Sequence, residues 1–187
     1  MQEMPLQWAD DQWLWAGGNE TQIIPPTDTF FFEAPHPLNS PAFNLEVSAQ
    51  ISQTADPLTA WGIALENDND TWTIIGINGA GYVTARHCSQ AAIVRLDTCA
   101  PLTEPTQQIL TYWKPFRFIH LRGATNAIRL DFVASQNHLT LHLNQEWMWD
   151  LPYAPTSQAL RWGLWIQGGP DLLSGITWDK TQVRSNQ

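Results

Sequence analysis

Residues 43–51 read Phe-Asn-Leu-Glu-Val-Ser-Ala-Gln-Ile, with an apolar residue at every second position and Asn44, Glu46, Ser48 and Gln50 between them. Strand side chains alternate between two faces, so this segment is a strand with one buried face and one wet one. Residues 61–65 and 72–77 form a hairpin across the turn-rich cluster at 66–70. If that turn is centred between Asp68 and Asn69, Leu65 faces Trp72 and Trp61 lies over Gly76. Further strands are predicted at 82–86, 93–97, 116–122, 127–134, 138–143, 146–150, 161–166 and 176–183, with shorter ones at 12–16, 22–24 and 29–33. Asn144-Gln145 reverses the chain as a two-residue turn, with Asn where a positive φ costs least. Residues 100–112 carry Pro101 and Pro105 and read as a connection, with room for one helical turn at 107–110. No long window shows a helical period, and turn signals separate the strands at short intervals. The pattern predicts an all-β, two-sheet antiparallel β-sandwich or jelly roll.

The 187 residues suit one domain spanning 1–187. With 18 acidic and 9 basic residues the net charge is −9. That charge excludes nucleic acid, whose affinity comes largely from cationic side chains on phosphates. The first Lys or Arg is Arg86, so no polybasic segment is available for an anionic membrane, and no apolar run is long enough to span one. Apolar content of 43% with eleven Trp excludes intrinsic disorder. The first residues lack the charged and apolar regions of a secretory leader, which favours a soluble protein of the cytoplasm. Cys88 and Cys99 are too few for a disulfide framework or a thiolate zinc site. They either pair, closing a short loop worth somewhat under ~3 kcal/mol, or stay as two buried thiols. A tight turn at 89–90 would place Cys99 opposite Ala80, against pairing.

The order of these elements resembles the concanavalin A-like lectin/glucanase superfamily. The resemblance runs from the amphipathic strand at 43–51 through Trp-Gly-Ile-Ala-Leu at 61–65 and the long motif at 72–86 containing Gly79-Ala-Gly-Tyr82 and Arg86. It resumes at Asn126-Ala-Ile-Arg-Leu-Asp-Phe-Val133, then Leu139-Thr-Leu-His-Leu-Asn144, and ends with Gly163-Leu-Trp165 and Ile176-Thr-Trp178. It covers about 40–183, with 1–39 supplying strands that complete the sandwich, and it departs at Gln145, where such hairpins carry Gly. The resemblance implies a jelly roll whose curved sheet forms a groove, and a tendency to bind glycans. It does not imply catalysis.

Specific catalytic signals are absent. Glu66, Asp68 and Asp70 alternate as the acids of a retaining glycosidase do, but Asn67 and Asn69 stand between them where a register-holding strand needs apolar residues. A solvated turn fits that cluster better, and neither a metal nor a cofactor is expected. His138 and His142 lie about 13.6 Å apart on a strand, too far for one metal, and belong with Thr140 to a polar sheet face. Tryptophan is the remaining signal, because flat rings stack on the C–H faces of sugars while acids and amides take the hydroxyls. Trp147 and Trp149 would share one face, turned either outward or into the core, and Trp162 and Trp165 would lie on opposite faces with one of them accessible. The expected function is a non-catalytic module for a glycan or other small polar ligand, with Trp147 and Trp149 as platform and Asp150 and Arg86 as hydrogen-bonding partners. The alternatives are a glycoside hydrolase or lyase with dispersed carboxylates, such as Glu46 with Asp179, and a structural or protein-interaction domain.

Overall fold

The computed structural model describes residues 2–3, 6–9, 12–15, 21–39, 42–68, 71–89, 99–101, 113–156 and 159–185. Among them strands dominate, with one short 3-10 turn at Ala134–Gln136. Sheet A takes, from edge to edge, β1 (Gln2–Glu3), β5 (Thr29–Glu33), β17 (Trp162–Gln167), β8 (Ala60–Asp68), β9 (Thr71–Asn78), β10 (Tyr82–Ser89) and β11 (Ala100–Pro101), with β12 (Lys114–Pro115) also on β10. Sheet B takes β15 (Glu146–Pro152), β14 (His138–Leu143), β13 (Thr125–Val133), β7 (Ala42–Ile51), β18 (Ser174–Ser185), β3 (Gln12–Trp15) and β2 (Leu6–Ala9), with β4 (Thr21–Ile24) also on β18. A small pair joins β6 (Leu38–Asn39) to β16 (Ala159–Leu160). Apart from the parallel pair β1–β5, the pairings are antiparallel. This is the predicted jelly-roll sandwich.

The alternation along β7 becomes its packing. Phe43, Leu45, Val47, Ala49 and Ile51 are buried between the sheets, beside Leu130 and Phe132 of β13. Sheet A answers with Trp61, Ile63 and Leu65 from β8 and Ile75 and Ile77 from β9, and Trp61 meets Trp178 edge to face with centroids 5.6 Å apart.

The β8–β9 hairpin departs from the expected register. Leu65 faces Thr73 and Trp61 faces Ile77, while Gly62 faces Gly76, because an irregularity between Glu66 and Asp68 slips the pairing by one residue. The ring that covers Gly76 is therefore Trp165, whose partner across β17–β8 is Gly62. Two glycines in adjacent strands leave room for an indole above the sheet. Trp162 and Trp165 do lie on opposite faces, but neither is accessible, since they are 1% and 0% exposed. The outer face of sheet A carries a second apolar layer of Phe31, Ala60, Ala64, Trp72, Ile74 and Trp165.

Cys88 and Cys99 are joined by a disulfide. β10 runs on to Ser89, and β11 pairs back onto it with His87 opposite Ala100, which brings Cys99 beside Cys88 rather than near Ala80. The strand expected at 93–97 and the helical turn at 107–110 lie outside the described residues. Residues 116–122 form a turn-rich loop rather than a strand, with Ile119 N–H donating to Phe116 O and Ala124 N–H to Leu121 O. Buried Asn126 replaces a strand partner there, accepting from His120 N–H at 2.7 Å and donating to His120 O at 2.8 Å. Asn144 donates to Phe118 O from the next hairpin. Two amides thus satisfy backbone groups that a ladder would have paired.

The Asn144-Gln145 turn forms as expected, with φ of 52° and 72°. Such a turn needs both central residues at positive φ, and Gln145 holds the place that Gly fills at least cost. Gln145→Gly is expected to raise stability by about 0.5–1 kcal/mol, read as a higher urea midpoint at unchanged slope.

Candidate functional site

The outer face of sheet B is built from the polar half of each strand's alternation. Strand pairing lines up Glu46 of β7, Arg129 of β13, His142 of β14 and Trp147 of β15 in one row across four strands. Three inter-strand steps make the row about 14 Å long. The next row holds Asn44, Asp131, Thr140 and Asp150. His138, Thr140 and His142 do share this face.

Trp147 stands at the row's outer end and is 59% exposed. Trp149 does not accompany it. β14 and β15 pair Leu141 with Trp149 and then His142 with Trp147, leaving Met148 as an extra residue. That bulge turns Met148 and Trp149 both inward, each 6% exposed, and leaves Trp147 outside. Trp149 joins the core between the sheets, with Lys114 Nζ 5.5 Å from its ring centroid. The sequence held a signal for this. Trp149, Leu151 and Tyr153 alternate with Asp150 and Pro152, and all three are buried. Asp150 lies on the exposed face as Trp147 does, accepting from Thr140 Oγ1 at 2.8 Å and from Trp147 Nε1 at 3.5 Å.

The middle of the face is an ordered charge network. Asp131 accepts from Arg129 Nε at 3.1 Å and from Asn44 Nδ2, and lies 3.4 Å from His142 Nε2. Lys180 Nζ donates to Glu46 at 3.0 Å. Beside them Glu46, His120, Ala127, Arg129, Asn144 and Gln145 line a cleft of about 330 Å³. Sequence reasoning missed Arg129, Asp131 and the cleft. Their alternation with Ile128, Leu130 and Phe132 was readable, but only register places them beside Trp147.

Partial burial, followed by the Arg129 charge, pulls the His142 pKa below its ordinary 6.5, outweighing the Asp131 and Asp150 carboxylates. A histidine of lowered pKa is kept neutral in the native state, so the unfolded chain binds the proton more readily. Stability is therefore full above about pH 6.5 and falls as the pH drops through the native pKa. His142→Gln is expected to flatten this part of the pH–stability curve, and an unchanged slope below pH 6.5 would contradict the assignment.

Arg86 lies elsewhere. Val83 and Ala85 do pack inward, so Arg86 points to the opposite face, but that is the outer face of sheet A. It is 3% exposed there, donating to Thr84 Oγ1 at 3.0 Å and sitting 5.9 Å from the Trp113 ring centroid. The second apolar layer covers that face, which separates Arg86 from Trp147 and Asp150. Glu66 is also no member of a solvated turn. It is 6% exposed and shares Arg161 with Glu33, at 3.5 Å from Nη1 and 2.6 Å from Nε respectively, while Arg161 stacks on Trp72. Tyr153 donates to Glu66 O at 2.6 Å, and its phenol is pushed far up in pKa by burial and by the Glu66 charge. The carboxylates paired in the enzyme alternative are each engaged, Glu46 by Lys180 and Asp179 by Thr125 Oγ1 at 2.8 Å. Among the described residues no group of three or more His, Cys, Asp or Glu side chains is placed to hold a metal, and no helix is long and apolar enough to cross a membrane.

No family model matches the chain, and no curated protein matches it in sequence. Solved structures do match in fold. The Emp46p carbohydrate recognition domain in its potassium-bound form superposes with a TM-score of 0.62 at 10% identity, over 99% of this chain and 88% of that one. The carbohydrate-binding module CBM66 from Bacillus subtilis gives 0.54 at 7% identity, over 98% and 92%. Galectin LEC-6 from Caenorhabditis elegans gives 0.52 at 13% identity, over 90% and 99%. The chain has the concanavalin A-like jelly-roll fold of these proteins.

Proposed function

We propose that this chain is a non-catalytic carbohydrate-recognition module that holds its ligand on the outer face of sheet B. The observation that carries the reading is Trp147, an indole left in solvent at the end of a row of hydrogen-bonding side chains. A sugar presents an apolar C–H face and a rim of hydroxyls, so a surface offering both a flat ring and fixed donors and acceptors satisfies both. Trp147 supplies the ring. Asp150, His142, Asp131 and Arg129 supply the polar partners, and the cleft beyond Arg129 extends the surface past a single ring. The outer face of sheet A is already filled by the protein's own aromatic layer, which directs the ligand to sheet B. The names of the fold neighbours, two of them carbohydrate recognition or binding domains, support the same assignment. The disulfide favours an oxidising compartment over the cytoplasm.

A glycan array should identify ligands. Trp147→Ala should then weaken the best of them at least tenfold, while the exposed position keeps the melting temperature within about 2 °C. Unchanged affinity in that variant would overturn the assignment.

A further inference from the structure

The charges around Trp147 narrow the ligand class, an inference that rests on the carbohydrate reading of this face. Asp150 is held against the indole, with Thr140 Oγ1 and Trp147 Nε1 both donating to its Oδ1. Among the described residues its Oδ2 accepts no hydrogen bond and no cation pairs with it. The nearest cation along the row, Arg129, is committed to Asp131, and Lys180 is committed to Glu46. Glu146, the neighbour of Trp147 in β15, pairs with core-facing Leu143 and so belongs to the other sheet face, which leaves Asp150 as the carboxylate beside the ring. The whole chain carries −9, a field that draws cations and repels anions.

An exposed indole presents the negative face of its quadrupole, and beside it stands the Asp150 carboxylate, which pairs with no cation among the described residues. A group that satisfies both at once is a protonated amine on a carbon frame. A hydroxyl would satisfy the carboxylate as an acceptor and leave the charge uncompensated. A uronate or sulfate would bring its own negative charge against the Asp150 carboxylate.

We propose that the Trp147–Asp150 corner selects saccharides carrying a protonated primary amine, that is, de-N-acetylated amino sugars. It discriminates against their N-acetylated forms and excludes acidic sugars.

Titration calorimetry of the intact chain with four probes tests this: β-1,4-linked glucosamine oligomers, the same oligomers N-acetylated, cello-oligosaccharides, and oligogalacturonate. The expected result is at least tenfold tighter binding of the glucosamine oligomer than of its N-acetylated form, weakening with added salt, with no binding of oligogalacturonate. Asp150→Asn, which keeps an oxygen acceptor for Thr140, should erase the preference for the amine. Equal or tighter binding of the N-acetylated or neutral oligomers, or a preference that survives in Asp150→Asn, overturns the proposal. If neutral oligomers bind equally well and Trp147→Ala abolishes that binding, the amine selection fails and the carbohydrate reading stands. If no saccharide binds, or binding ignores Trp147→Ala, both fail.

Discussion

Replacing Trp149 with alanine should cost about 3–5 kcal/mol of stability, the range for deleting a buried aromatic ring. Trp149 is 6% exposed and belongs to the core between the sheets, at the edge where β15 of sheet B comes under Lys114 of β12. The loss removes apolar area from the core and the lysine's aromatic partner together, and the bulge beside it cannot collapse to fill the space without shifting Met148. Urea unfolding monitored by circular dichroism would show a large fall in midpoint. The paired experiment on Trp147 should give the opposite split, with affinity lost and stability kept. A Trp149→Ala protein that loses binding but melts normally would mean that strict alternation holds in β15 and that the bulge is absent.

The two tryptophans show what the sequence could and could not supply. Their spacing in isolation put them on one face, because alternation assumes an uninterrupted ladder. Three irregularities break that assumption, at Glu66/Asp68, at Leu141/His142 and at Trp178/Lys180, and each moves side chains from one face to the other. A bulge has no composition of its own, and here the pattern hides it: Trp147, Trp149, Leu151 and Tyr153 fall at alternate positions, so uninterrupted alternation would bury all four, and only the shifted register leaves Trp147 outside. The strands themselves were legible where one face is wet, as at β7 and β13, whose core-facing apolar residues, Phe43, Leu45, Val47, Ala49 and Ile51 and then Ile128, Leu130 and Phe132, are all buried in the structure.

Sheet A was less legible for a different reason. β8 runs Ala-Trp-Gly-Ile-Ala-Leu and β9 holds Trp, Ile, Ile, Gly and Ile around a single buried Thr73. Strands without polar alternation are buried on both faces. That composition already implied that the outer face of sheet A is covered, and it argued against Arg86 as a groove residue. The disulfide falls in the same category. Whether two cysteines pair depends on register, and register in β10 was read from a tight turn beginning at Ser89, whereas Ser89 is still a strand residue opposite Thr71.

The glycines of sheet A allow a sharper test of that doubly buried architecture. Gly62→Ala should destabilise the protein by about 3 kcal/mol or more, at the upper end of overpacking costs. A Cβ at Gly62 would stand 2.1 Å from Ile75 O and 2.7 Å from Gly76 Cα, both backbone atoms of the neighbouring strand. Relief would require β8 and β9 to part in the middle of the sheet, where Ile63 and Ile75 pair directly beside them. Gly76→Ala offers the contrast. Its Cβ would meet Trp165 Cζ3 at 3.1 Å, a side-chain atom at the rim of the ring, and the Trp61 backbone O at 3.3 Å, both far looser than the 2.1 Å contact at Gly62. A tilt of the indole and a shift of a few tenths of an ångström from the Trp61 carbonyl relieve both contacts, so the cost should stay at about 1 kcal/mol, at the low end of the same range. Thermal and urea unfolding of the two variants should therefore separate widely. Equal losses would show that the Trp165 ring, not the strand spacing, sets the limit on both glycines, and that the close approach of β8 to β9 is not what excludes a side chain from position 62.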